Sequence, residues 1–301
     1  MKTLWFKYIL GVAIFVFHNT MLIGQSKEND EMGKHQGKTY FSTDIYYISD
    51  AVFMGRKDSI AAPYLYPILT YHHKSGFYAT GSLSYLTKSN ESRVDLFLVS
   101  GGFDFTIKNL TGDISLTKYF FNDDSYNVIS QVTADITGQL KYDFNVFNLS
   151  LTASNYFNNE GSSDFIMSTE ISHDFVMENN KVQISPSLGF SFGSQNFYEE
   201  YYINKQYGTG NTNGNGTGNG SGQNGSTTTT TVVSVQENKK FNLLAVELSS
   251  PIWYSNKSFT LMFLPTYVFP KNASNFVVDG VTVQENLKDT FYWIVGLGYR
   301  F

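Results

Sequence analysis

The 301-residue chain contains no cysteine, which excludes disulfides, thiolate metal sites, a cysteine nucleophile and a lipidated cysteine. Charge is scarce too. Asp, Glu, Lys and Arg together make up 16% of the residues, against about 25% in ordinary soluble domains. The balance is acidic, at −5, and gives no footing for nucleic acid on a basic patch. Beyond the first two dozen residues no stretch reaches the roughly 18 consecutive apolar residues of a membrane-crossing helix. What is abundant is aromatic: Tyr, Phe and Trp supply 17% of the chain.

The opening MKTLWFKYILGVAIFVFHNTMLIGQSK sets Lys2 and Lys7 before an apolar run from Tyr8 to Phe17, with small or polar residues around Gly24 and Gln25. That is the layout of a secretory signal peptide. Its strongly apolar part is shorter than the roughly 20 residues that cross a bilayer as a helix, which disfavours an uncleaved anchor. Residues 1–24 are therefore expected to be removed, and 25–38 to form a flexible lead-in to a single domain spanning 39–301. Losing Lys2 and Lys7 leaves that domain more acidic still.

An exported, aromatic-rich chain without spanning helices is either a secreted β-sandwich or a closed barrel whose backbone groups are all paired between strands. Alternation and turn residues predict strands near 39–48, 62–72, 76–88, 93–107, 111–121, 125–142, 146–157, 163–177, 181–194, 240–254, 257–270 and 290–301. Many exceed the usual strand length of about 5–6 residues and reach the roughly 9–11 that cross a bilayer at a tilt. Connections also alternate in length. HHKS, IKNL, YDFN, ENNK and YSNK are tight, whereas 49–61, 195–239 and 271–289 are long. Short turns at one end and longer loops at the other are the arrangement of a membrane barrel, and a sandwich has no reason to sort its loops by parity.

Two features sit awkwardly with that reading. In the fourth strand Val94, Leu96 and Leu98 share one parity and Phe103 and Phe105 the other, so a β-bulge is expected at Gly101-Gly102. Pro186 and Pro265 each remove a ladder donor and require bulges or local breaks.

The chain ends in FYWIVGLGYRF. Trp293, Val295, Leu297, Tyr299 and the terminal Phe301 alternate on one apolar face, and in this they resemble the C-terminal signal strand of Gram-negative outer-membrane β-barrel proteins. The resemblance implies an all-β, closed antiparallel transmembrane barrel of about twelve strands, with long extracellular loops and short periplasmic turns. It further implies the bacterial outer membrane as location, with lipid, the barrel-assembly machinery and periplasmic chaperones as partners. No subfamily is singled out.

Inward parity collects Asp44, Asp113, Asp135, Lys141, Glu170, Asp174, Glu247 and Arg300 among many Ser, Thr, Asn and Gln. A narrow channel or transporter for small solutes, preferring cations because acids outnumber bases, is one reading of this lumen. Another is a closed barrel in which these charges pair and knit a plug, acting as a surface receptor, adhesin or structural element. The stretch 46–67 mixes Asp50, Arg56, Lys57 and Asp58 with apolar residues and suits a loop folded back into the mouth as a constriction. The Gly/Asn/Thr-rich tract 207–231 reads as a flexible surface tip, available for adhesion or phage contact, without a phosphate-cradling or calcium-repeat pattern.

A membrane-embedded enzyme needs a general base, and the mature chain offers only His35, His72, His73 and His173. His72 and His73 are expected in the first tight turn and His173 on an outward face, so no catalytic residue is assigned. No metal site or cofactor is assigned either.

Overall fold

The computed structural model describes residues 38–58, 61–88, 91–158, 163–177, 180–197, 233–236, 240–278 and 281–301. The expected signal peptide, nearly all of the lead-in and the tract 207–231 fall outside those residues.

Twelve antiparallel staves close into one barrel. They are β1 (Tyr40–Ile48), β2 (Tyr64–His72), β3 (Phe77–Lys88), β4 (Glu91–Ile107), β5 (Leu110–Phe121), β6 (Val132–Asp143) and β7 (Asn148–Asn158). Then follow β8 (Ser163–Ser172 continued by Phe175–Met177), β9 (Val182–Ile184 continued by Ser187–Gly193), β10 (Asn242–Ser249 continued by Ile252–Asn256), β11 (Phe259–Pro270) and β12 (Thr290–Arg300). The circle closes where β12 pairs with β1, from Ser42 opposite Arg300 to Ile48 opposite Ile294. A smaller sheet of Val233–Gln236, Asn275–Val278 and Val281–Gln284 forms in the connections on either side of β10 and β11.

Alternation sorts the side chains. Outward positions carry Phe41, Ile45, Leu69, Phe97, Val99, Leu116, Ile136, Leu151, Leu261, Val295 and Leu297, all exposed. Exposed apolar side chains around a whole perimeter would be costly in water and are favoured against hydrocarbon. The closed sheet leaves no unpaired edge among them. Rings gather near the strand ends at the C-terminal side of the barrel, as Phe41 beside Tyr71, Phe77 beside Phe103 and Phe259 beside Tyr299, in the manner of an interfacial girdle. The chain is thus an outer-membrane barrel in architecture, and the sandwich alternative falls. Each tight turn is closed by one residue in the left-handed region: Gly76, Lys108, Asn145, Asn180 and Lys257. Glycine and asparagine suit that conformation.

The prolines are accommodated by half-made pairs. Pro186 and Pro251 sit where β9 and β10 break, and Pro265 faces the break in β10. At each, the prolyl carbonyl still accepts a bond while the donor is missing: His173 N–H to Pro186 O (3.2 Å), Ser185 N–H to Pro251 O (3.0 Å) and Ser250 N–H to Pro265 O (3.2 Å). Three neighbouring interfaces each lose one bond, and the barrel stays closed.

Two expectations are corrected. The bulge in β4 is not at Gly101-Gly102: register shifts where Ser84 pairs Leu96 but Tyr85 pairs Val94, leaving Asp95 as the extra residue. Leu96 and Leu98 consequently point inward, while Phe103 and Phe105 stay in step with Phe97 and Val99. Gly102 serves instead as a bare patch beneath Tyr78, whose hydroxyl would lie 2.4 Å from a Cβ added there. The sixth stave begins at Val132 rather than near 125, because turns close from Ser125 N–H to Asn122 O and from Ser130 N–H to Asn127 O.

Gly296 lies flat beneath the Tyr46 ring, which would come within 2.2 Å of a Cβ at that position. Gly296→Leu is expected to cost at least about 2 kcal/mol through overpacking, lowering the urea midpoint of the heat-modifiable folded band. Gly81→Ala, with nothing within 4 Å of its added Cβ, should leave that midpoint within error.

Candidate functional site: the barrel lumen

The lumen has two storeys. At the end carrying the long loops it is filled by an apolar cluster that includes Tyr46, Ile48, Leu98, Tyr119, Tyr156, Ile166, Val268 and Ile294 from the wall. Loops complete it: Val52, Phe53 and Met54 from residues 49–63, Val128 and Ile129 from 122–131, and Phe197 from the connection after β9. The described residues of this connection, 49–58 and 61–63, thus fold inward, where the sequence reading set a constriction of the mouth.

Three sets of contacts hold this loop. Asp50 closes its neck, its Oδ1 accepting from Ala51 N–H and Ala62 N–H at 3.0 Å each while its other oxygen pairs with Lys57. At the tip Phe53 meets Phe197 edge-on at 4.8 Å and Tyr156 at 6.0 Å. Next to it Gly55 adopts φ +76° against Pro270 of β11, where a Cβ would come within 2.6 Å of the proline Cβ. Arg56 follows, 1% exposed. Its guanidinium donates to Met54 O, Leu244 O, Lys271 O and Asn272 O at 3.0 Å each, and Glu285 stands 3.6 Å away. A buried guanidinium is tolerated only when its donors are so engaged. Phe197 is itself placed by Asp164, whose carboxylate accepts from the backbone N–H of Asn196 (2.7 Å) and Phe197 (2.8 Å) and from Ser194 Oγ (2.6 Å).

Beside the plug, in the connection before β6, Tyr126 donates to Glu91 at the start of β4 at 2.5 Å while Lys88 and Arg93 each lie 5.0 Å from its ring. The hydrogen bond to a carboxylate raises the phenol's pKa.

Toward the tight turns the wall becomes polar. From β3 to β9 the inward residues of this storey include Thr80, Ser100, Asp104, Asp113, Ser115, Thr117, Asp135, Thr137, Gln139, Lys141, Ser150, Thr152, Ser154, Ser168, Glu170 and Ser187, all buried. Hydroxyls pair across strands: Thr70 with Thr80 (3.0 Å), Thr117 with Ser100 (3.2 Å), Thr137 with Ser154 (2.8 Å), Ser168 with Ser191 (3.1 Å) and Ser187 with Ser249 (2.7 Å).

The eight inward residues named from the sequence occupy inward parity on their staves, in two groups. Asp44, Asp113 and Arg300 belong to β1, β5 and β12. There the Arg300 guanidinium lies 4.4 Å from the Tyr40 ring, Tyr40 stacks on His72 at 4.9 Å, and His72 on Tyr78 at 6.3 Å. His72 Nε2 binds Asp104 at 2.7 Å and the Tyr78 hydroxyl donates to Asp113 at 3.2 Å. The expectation that His72 lies in the turn is thereby corrected. It is the last residue of β2, 5% exposed, and only His73 enters the turn, against Ser75. The period-two pattern of β2 already held this signal, since His72 continues the inward series Ile68, Thr70.

The second group follows another row. Lys141 of β6 lies opposite Ser150, Ser150 opposite Glu170, and Gly189 between Glu170 and Glu247. Asp174, at the break in β8, accepts from Asn148 (3.1 Å) and Ser185 (2.7 Å). Asp135 accepts from Tyr119 (2.5 Å) and Thr137 (2.7 Å). Most inward acids are thus engaged by hydroxyl, amide or imidazole donors of the wall, and this wiring lends no support to a cation preference. Among the described residues no three His, Asp or Glu side chains are arranged to hold a metal ion.

A closed barrel with an apolar perimeter, an aromatic girdle and a polar lower lumen defines a bacterial outer-membrane β-barrel protein. No family model and no curated protein matches the chain. Among solved structures it is similar to the KdgM porin (9% identity, 86% of this chain and 99% of that chain, TM-score 0.46). It is also similar to the NanC porin (10%, 86% and 98%, 0.46) and to an outer membrane channel from Pseudomonas putida F1 (9%, 88% and 96%, 0.44). At such scores these likenesses carry no argument about what the chain does.

Trypsin reports on the plug, since Arg56 and Lys57 are its targets. The folded protein is expected to resist cleavage there. Phe53→Ala, which removes a buried ring at a cost of about 3 kcal/mol, should open that site to trypsin at least several-fold faster while the barrel band persists on gels.

Proposed function

We propose that the protein is a narrow outer-membrane channel for small solutes, closed at its outer end by the inward residues 49–58 of the first long loop. The observation that carries this reading is the nature of the seal. The apolar storey is completed by loop residues held through side-chain contacts, not by the wall alone, and a displaced loop exposes a lumen lined with polar groups on seven successive staves. Such a lining supplies hydroxyl and carboxylate groups that can solvate a polar solute once the loop moves, and they are kept paired with one another while it is seated. A preference for cations rests only on the excess of inward acids over Lys141 and Arg300, and a salt-gradient reversal potential would measure it.

Single-channel recording tests the proposal. Wild-type protein in a planar bilayer should be silent or open rarely. Arg56→Ala removes the guanidinium that ties the loop tip to Leu244, Lys271 and Asn272, and it should show discrete steps with open probability raised at least tenfold. A folded Arg56→Ala barrel that stays silent would contradict the reading. That result favours the second one, a closed barrel serving as a surface receptor, adhesin or structural element, which the dense packing of Leu264, Asp135 and Thr137 (all 0% exposed) supports.

A further inference from the structure

The lumen's polar groups are satisfied by one another over most of the wall, and the contrast lies on β7 and β8. Ser150 Oγ, Thr152 Oγ1, Glu170 Oε1 and Ser172 Oγ are buried without a hydrogen-bond partner. They are neighbours: Ser150 lies directly opposite Glu170, Thr152 is next on the same face of β7, and Ser172 next on that of β8. Other partnerless atoms among the described residues of the wall include those on Ser42, Asp44, Thr106, Trp253 and Thr266, spread over β1, β4, β10 and β11. A buried polar atom left unpaired costs about 1–3 kcal/mol, so four in one patch point to a ligand that supplies what the wall does not.

The next stave shows where such a ligand fits. Gly189 is flanked by Glu170 on one side and Glu247 on the other. It presents no side chain, and a Cβ placed there meets nothing closer than 3.9 Å. Two inward carboxylates therefore flank a bare backbone position that no side chain covers, with Lys141 as the cation on the same row. An ammonium group has three donors and no acceptor, which suits a patch whose open groups are carboxylate and hydroxyl oxygens. Ser150, Thr152 and Ser172 add hydroxyl oxygens able to accept.

We propose that this patch is a binding station for a small organic solute bearing a primary ammonium group, seated over Gly189 between Glu170 and Glu247. The inference rests on the channel reading, because the solute must reach the lumen from a mouth.

Saturation-transfer NMR on refolded protein in detergent, with ethylammonium as probe and ethanol and acetate as controls, tests it. Ethylammonium should bind, and the two controls should not. Glu170→Gln, Glu247→Gln and Gly189→Val should each weaken binding at least tenfold, while Asp123→Asn, on an exposed loop, should not. Folding is checked for each by heat-modifiable mobility, and the three variants serve independently if one fails to fold. Equal binding by folded Gly189→Val and wild type, or ethanol binding as well as ethylammonium, would overturn the station. Binding by a barrel that never conducts, even as Arg56→Ala, would overturn the channel reading and leave the station standing. Conduction by Arg56→Ala without ammonium binding would do the reverse.

Discussion

Everything in this molecule follows from the absence of water in hydrocarbon: every backbone N–H and C=O inside it must be paired by the protein itself. For a chain made of strands that demand has one solution, a sheet with no edge, and the pairing of β12 with β1 supplies it. Closure dictates parity, because each stave then has one face toward lipid and one toward the lumen. The aromatic C-terminal strand is an ordinary member of the circle, its Trp293, Val295, Leu297 and Tyr299 outward and its Gly296, Gly298 and Arg300 inward. The proline half-pairs show how far the constraint bends. Three interfaces in a row each forgo one donor, and each keeps the reciprocal bond.

The interior obeys a second rule, that space inside a closed wall must be filled or matched. Near the long loops it is filled by apolar side chains, and the residues that fill it come from loops as well as staves. A fully buried Arg56 fixes the inward loop through backbone carbonyls that belong to β10 and to the segment after β11, so one side chain couples the first loop to the far wall. Lower down the space is matched by hydroxyl pairs and by acids that take hydroxyl, amide or imidazole donors. The stack of Arg300, Tyr40, His72 and Tyr78 runs across four adjacent staves in the same spirit, ring on ring with carboxylates beside it.

The circle was legible in the sequence because period-two alternation is a strong local signal over ten or more residues, and loop length sorted by parity gave its orientation. Glycine misled in β4. Gly101-Gly102 looked like a bulge, yet the irregularity is at Asp95, where the extra residue lets an inward carboxylate receive Tyr64 and Arg93. Such a choice depends on side chains from other staves and leaves no local mark. Alternation carries the sixth stave back too far because Tyr126 and Val128 keep period two through a loop that packs inside. His72 was misplaced by its neighbour His73 and the turn that follows. The inward acids were readable from parity alone, but their partners were not, since Asp135 with Tyr119 and Asp104 with His72 join residues 16 and 32 positions apart.

The account stands on residues 49–58 of the first long loop lying inside the barrel mouth, and the cysteine-free chain offers a direct measurement of it. A single cysteine at Ala51, which is 8% exposed, can be challenged on intact cells with a membrane-impermeant maleimide, beside a reference cysteine at the exposed Asp123. An inward loop predicts labelling of the Ala51→Cys protein at least a hundredfold slower than the reference. Comparable rates at the two positions would place the loop outside the lumen and contradict the account.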